Sequence, residues 1–423
     1  MSEAADASPP TRSVPSAAIW AICFVAVVSV VSWRRDAIFS GSIDAVVISK
    51  GLLALLALVA AIVVAARTRP RRPVGFQTAF LLVLALGISA IGAVAAGSPI
   101  PSLIVIGRVV ILAAIVFALL AAANWRVVLG GFLGALGVVA VVAAVTGISR
   151  IGDEGRLVGG IPEVAANELA GLAAPPLIGL IVLLIRDGLR LRTGVPAIAL
   201  GVVIWATESR TGLIAIALAI IVAFIAAPRV HWSVTAAIFV SLPIGYALAV
   251  YTPIVSDFLV RGQSVAELSS LSARTDAWRV VFSWSLDSWE RWLGLGLAVK
   301  QVPVPLKDRD LQVLDSSWVS VLAQTGAIGV LLVLAILVPL IYRAFTVRDY
   351  RPLVLPLLTL ILVRGFTESG IIDSSATFLL FFTIAVALEP ATRGDPVPEP
   401  SRPDFRGVAF ERRLQPAALT RAG

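Results

Sequence analysis

A chain in which one apolar run follows another, with only a few residues between them, has little choice of fold. Such runs fall at residues 17–33, 43–66, 75–96, 101–123, 126–148, 167–185, 195–207, 212–227, 232–251, 317–341, 352–366 and 371–388. Inside a bilayer a backbone must satisfy its own N–H and C=O groups, so each run reads as a transmembrane helix. The fold expected is all-α: a polytopic membrane protein with about 12 spans and one large loop. Composition agrees, with 58% of residues hydrophobic and 14% charged, against roughly 25% charged in a soluble domain. The first run ends in Arg34-Arg35-Asp36 and not at a small-residue cleavage site, so it reads as a retained span.

Arginine in short loops is retained on the cytoplasmic side, which orients the spans. With the amino terminus inside, the cytoplasmic loops receive Arg67, Arg69, Arg71 and Arg72, then Arg126, then Arg186, Arg190 and Arg192, then Arg229, then Arg343, Arg348 and Arg351. The opposite loops lack charge, as at Gly97-Ser98-Pro99, or mix signs, as at Arg150, Asp153, Glu154 and Arg156. Residues 1–15 and 391–423 read as disordered cytoplasmic tails. Between them lie helices 1–9 (16–251), an extracytoplasmic loop (252–316) and helices 10–12 (317–390). The location this implies is the cytoplasmic (inner) membrane, with both termini inside.

The net charge of +8 is spread over these loops, so it reads as topology and not as a nucleic-acid surface. Cys23 is the one cysteine and His231 the one histidine. Neither a disulfide framework nor a metal site is expected from them, and no cofactor is called for.

Charges that topology does not explain gather on the expected outer side. Glu208-Ser209-Arg210-Thr211-Gly212 is a short turn between two spans, and Arg156, Asn167, Arg364, Glu368 and Asp373 fall at or near outer span ends. Lys50 and Arg108 lie within their spans, either snorkelling to headgroups or lining a cavity. In the loop, Trp278, Phe282, Leu286, Trp289 and Leu293 recur at intervals of four and three from Arg274 onward. This periodicity predicts one amphipathic helix along the membrane surface, with Arg279, Asp287, Glu290 and Arg291 on its other faces. Gly294 and Gly296 would end it. Asp315-Ser316-Ser317-Trp318 opens the next span, where Asp315 is either a helix-start residue or a carboxylate that takes a proton from a hydroxyl.

In order and sidedness these pieces resemble the O-antigen ligase and surface-polysaccharide polymerase superfamily. The matching elements are the turn Ser209-Arg210-Thr211-Gly212, then Arg274 followed four residues later by Trp278, then Gly294 and Gly296, and the glycine-rich step Gln324-Thr325-Gly326-Ala327-Ile328-Gly329. The resemblance spans about residues 150–335 and departs from the family where Asp315 stands in place of the usual histidine. It implies a metal-independent, inverting glycosyltransferase that takes a polyprenyl-diphosphate-linked glycan outside the cytoplasmic membrane. Arg210 and Arg274 would hold the donor diphosphate, and Asp315 would act as base, with Glu368 or Asp373 or a changed chemistry as the alternatives. Arg156, Glu208, Arg291, Arg364 and Glu368 are further candidates for the pocket. A transporter or flippase of lipid-linked glycan is the alternative, since helix number and intramembrane charge suit it equally.

Overall fold

The computed structural model describes residues 15–34, 43–69, 71–240, 270–306 and 309–393. Most of the apolar runs become helices close to their expected bounds. These are α1 (Ser16–Val30), α2 (Ala45–Arg67), α3 (Gln77–Ala95), α4 (Pro99–Ala122) and α5 (Trp125–Gly147), with a short helix α6 (Ile151–Glu154) beyond it. Then come α7 (Ala166–Asp187), α8 (Leu191–Ala206), α9 (Arg210–Ala226) and α10, of which 232–240 are described. The rest of the expected ninth span, like both expected tails beyond residues 15 and 393, lies outside the described residues. Among the described residues six helices are long and apolar enough to cross a membrane: α2, α3, α4, α5 with its extension to Glu154, α7 and the later α13 (Ser317–Thr346). Four more are apolar but shorter: α1, α8, α9 and the last helix, α15 (Ala376–Ala387). Between α13 and α15 runs α14 (Arg351–Arg364).

Apolarity on every side suits a helix for the interior of a bundle. In α15 each residue from Phe378 to Leu388 is buried, against α3, α4 and α5. At the periphery α2 shows Leu52, Leu55, Leu56, Val59 and Ile62 on an exposed stripe. Asp44 starts α2 by accepting from the Val47 amide at 2.8 Å and pairing with Arg34 at 2.7 Å. The amide first, and Arg34 after it, hold this carboxyl below the usual carboxylate range.

The bundle has two distinct ends. At the tail end, Glu389 accepts from the amides of Gln77 (3.0 Å) and Thr78 (2.6 Å), so its buried carboxylate caps the start of α3. Trp125 also stacks on Tyr350 there, with ring centroids 4.2 Å apart. At the loop end, the Leu157 amide donates to the Ala206 carbonyl at 2.8 Å and the Ser317 amide to Gly365 at 2.7 Å.

The loop departs from the single surface helix expected of it. Two helices form, α11 (Ser270–Phe282) and α12 (Trp289–Leu293), followed by an antiparallel hairpin of β1 (Gln301–Leu306) and β2 (Arg309–Val313). Serine and aspartate interrupt the helix because they offer the backbone local partners. The Ser283 hydroxyl donates to Val280 O at 2.8 Å, and the Asp287 amide donates to Ser285 Oγ at 3.2 Å. The buried face of α11 is Ala277 and Val281, which join Val302, Val304, Leu314 and Val319 in a small separate core. Phe282 and Leu286, expected on the apolar stripe, are exposed. The hairpin also qualifies the all-α expectation, since the loop carries a strand pair that helical periodicity did not foretell.

Gly294 and Gly296 do end a helix, and they close a second break as well. Within α13, Gly326 has φ 64°, so the helix is two segments meeting at a kink. A kink frees carbonyls of the preceding turn. Here the Leu295 amide takes the Ala323 carbonyl at 2.8 Å, the Gly296 amide takes Gln324 O at 3.2 Å, and Ser89 on α3 adds a bond to Gln324 O at 3.0 Å. Gly294 (φ 71°) and Gly326 touch opposite backbones so closely that a Cβ on either would overlap the other segment. The loop is thereby pinned into α13 about ten residues, roughly 15 Å, below its first turn.

Candidate active site

The loop end is assembled from four elements that meet around the first turn of α7. From α9, Gly212 brings its Cα side against Ala170 of α7, two residues after Arg210. From α14, the Arg364 guanidinium lies over Gly171, where any Cβ would collide with it, and its Nη2 donates to the Asn167 carbonyl at 2.9 Å. From α13, the Ser317 amide and hydroxyl donate to the Glu368 carbonyl at 3.0 and 2.8 Å, and Ser316 Oγ donates to Gly365 O at 3.2 Å. These bonds seat Asp315, one residue ahead of the helix cap, beside the end of α14. Arg156 arrives with the 155–165 segment, whose Leu157 is bonded to the end of α8.

Arg210 opens α9 behind the Ser209 cap, which accepts from the Gly212 amide at 3.3 Å. The turn before it holds Glu208 at φ 52°, a left-handed conformation that a non-glycine residue adopts only when its surroundings impose it. Arg210 Nε and Nη2 are buried and have no hydrogen-bond partner among the described residues, so they do not turn back on Glu208. Arg364 Nε is buried and unpartnered in the same way. A buried donor without an acceptor costs about 1–3 kcal/mol, and more when charged. The two arginines lie on helices that pack together, α9 and α14, and the planar fork of a guanidinium suits paired phosphate oxygens.

Other expected residues are placed differently. Arg291 donates through Nη1 to the Phe282 carbonyl at 3.1 Å, tying α12 to the end of α11, so its visible work is to brace the loop. Arg274 lies in the first turns of α11, one turn before Trp278, and its side chain falls outside the described residues. Asp373 is engaged by Lys300 at 2.6 Å and by the Ser374 amide at 2.7 Å. Arg108 donates to the Ser29 carbonyl of α1 at 3.2 Å rather than reaching for headgroups. Glu168 was not anticipated. It sits in the first turn of α7, accepts from the Ser32 amide at 3.2 Å and lies within electrostatic range of Lys50, Arg364 and Glu368.

A cavity of about 30 Å³ lined by Gly171, Ser317, Arg364 and Glu368 lies at this meeting point. It has room for one water-sized group. A wider groove, about 670 Å³, opens between α1 and α5 along Phe24, Val28, Val138 and Val142, with the Arg150–Glu163 ion pair (2.8 Å) at its lip. Among the described residues no group of His, Cys, Asp and Glu has the arrangement of a metal site.

Residues 195–334 match the family model described as O-antigen ligase. This match, over about a third of the chain, supports a place in the O-antigen ligase and polymerase superfamily. The matched O-antigen ligase segment holds Arg210, Arg274, Asp315 and the Gly294–Gly326 junction, while Arg156, Glu168, Arg364 and Glu368 lie outside it. No curated protein matches the chain at a significant level. This match and the run of apolar helices indicate a multi-pass membrane protein with an O-antigen ligase-like segment.

Proposed function

We propose that the protein transfers or polymerises polyprenyl-diphosphate-linked oligosaccharide at the outer face of the cytoplasmic membrane, in surface or cell-wall polysaccharide synthesis. The observation that carries this reading is the Arg210 guanidinium within the O-antigen ligase segment, with Nε and Nη2 buried and unpartnered, on a helix packed against the one that carries Arg364. Arg210, Arg274 and Arg364 hold the donor diphosphate and offset the charge that grows on it as the glycosidic bond breaks. A hydroxyl of the acceptor attacks the anomeric carbon from the opposite side, which inverts its configuration. An outer-face carboxylate takes the proton, and Asp315 is the one the family pattern points to. No metal is needed for this chemistry, because the guanidiniums supply the positive charge. The apolar groove between α1 and α5 suits a substrate that carries a long prenyl chain.

A flippase for the same lipid-linked glycan is the competing reading, and one observation favours it: α13 is broken at Gly326, as transporter helices often are. The two readings separate in a deletion strain complemented with wild type, Arg210→Ala, Arg274→Ala or Asp315→Ala at matched membrane levels. Transferase variants leave repeat units accumulated on the outer leaflet and polymer lost. Repeat units trapped on the inner leaflet identify a flippase, and normal polymer in all three variants overturns the site.

A further inference from the structure

The transfer reaction must lodge a proton, and the loop end offers several carboxylates with unequal freedom to take it. Both oxygens of Asp373 are engaged, by Lys300 and by the Ser374 amide. Asp315 and Glu368 each already have a polar or electrostatic partner. Glu168 differs: the Ser32 amide holds Oε1 at 3.2 Å, while Oε2 receives no hydrogen bond among the described residues. One oxygen is fixed and the other is open, which is the arrangement of an oriented base.

Its place on α7 adds to this. Glu168 follows Asn167, whose carbonyl anchors Arg364, and precedes by one helical step Gly171, over which that guanidinium lies. Next in sequence, Ala170 meets the first turn of α9, which begins with Arg210. Lys50 on α2, with Arg364 and Glu368 at the end of α14, are the charged groups facing it. The carboxylate is therefore on the helix turn to which the Arg364 guanidinium is anchored, next to the residue that meets the start of α9.

We propose that Glu168, in the first turn of α7, is the catalytic base of the transfer. The proposal rests on the glycosyl-transfer reading and gives Glu168 the proton-accepting role that the family pattern gives to Asp315. In the step, the acceptor oxygen forms a bond to the anomeric carbon, and the bond from that carbon to the phosphate oxygen breaks. The polyprenyl diphosphate leaves with the bonding electron pair, held by Arg210 and Arg364. The hydroxyl proton passes to Glu168 Oε2, and the neutral acid later returns it to water.

The test uses the full chain in nanodiscs, with the lipid-linked repeat unit extracted from the deletion strain as donor and acceptor. Glu168→Gln keeps an oxygen for the Ser32 amide, so it preserves the local hydrogen bond while removing the base. The expected result is a fall in kcat of about 100-fold or more, KM for donor within about threefold of wild type, and partial recovery in Glu168→Asp. If Glu168→Gln turns over within about threefold of wild type while Arg210→Ala is inactive, Glu168 is not the base and the transferase reading stands. If Glu168→Gln instead raises KM in step with its loss of kcat, the residue binds substrate and the proposal fails. If the wild type transfers nothing, the proposal and the reading beneath it both fail.

Discussion

The two ends of the bundle handle charge differently. At the tail end, Glu389 is a buried carboxylate whose two oxygens are both taken by backbone amides, Gln77 at 3.0 Å and Thr78 at 2.6 Å. Its charge is spent on holding α3 in place. At the loop end, Arg210 leaves two of its three guanidinium nitrogens buried and without partners among the described residues, and Arg364 leaves one. Arg351 and Arg393 near the tail end each also leave Nε so, and among these four only Arg210 leaves two nitrogens. The difference separates charge that builds the fold from charge held ready for a ligand, since an unsatisfied buried donor destabilises the empty protein and is compensated only when something binds.

Changes at the two ends should therefore act on different observables. The largest effect is expected from Arg210→Ala, which should lower transfer by about 100-fold or more, the scale set by removing one preorganised charge-stabilising donor, with the unfolding midpoint unmoved or raised. Next is Gly326→Ala. Its φ of 64° is unfavourable for alanine by about 1–2 kcal/mol, and the new methyl group meets the Trp292 backbone. It should displace the loop, exposing it to limited proteolysis and costing most of the activity. Gly171→Ala should come third: a methyl under the Arg364 guanidinium shifts it by about an ångström, enough for roughly a tenfold loss in turnover with little change in stability. Smallest in activity and clearest in stability is Glu389→Ala, which should cost about 2 kcal/mol in detergent unfolding while turnover stays within about twofold of wild type. A loss of transfer in Glu389→Ala with no loss of stability would erase the contrast between the ends.

Much of the scaffold was legible because a bilayer leaves a chain few options. The apolar runs at 43–66, 75–96, 101–123 and 126–148 appear as α2 to α5 with shifts of a few residues at their ends. The Arg210 turn and the Gly294-to-Gly326 junction were legible as a family pattern. Their meaning was not, because the junction depends on carbonyls freed by a kink at Gly326 and on amides about thirty residues away, which spacing alone does not pair. The hairpin left a signal that went unused: Val302 and Val304 alternate with prolines on one side of Lys307-Asp308, and Leu311 and Val313 alternate on the other. Glu168 was hidden for a different reason. An acidic residue in the first turn of a helix is ordinary dipole compensation, and only the fold brings Ser32, Lys50 and Arg364 to it from elsewhere in the chain. Arg364 itself could be placed near an outer span end, but its seat on Gly171 and Asn167 spans 197 residues of sequence.

The central claim is that the Arg210 guanidinium is left open for a diphosphate. The most direct measurement is equilibrium binding of polyprenyl diphosphate, the leaving group without its glycan, to purified wild type, Arg210→Lys and Arg210→Ala in nanodiscs. Replacing charge-assisted, paired hydrogen bonds should weaken binding by at least about tenfold in Arg210→Ala, with Arg210→Lys between the two because an ammonium keeps the charge but not the fork. Equal affinity in all three would mean that the guanidinium does not meet the diphosphate, and the loop end would lose its anion site.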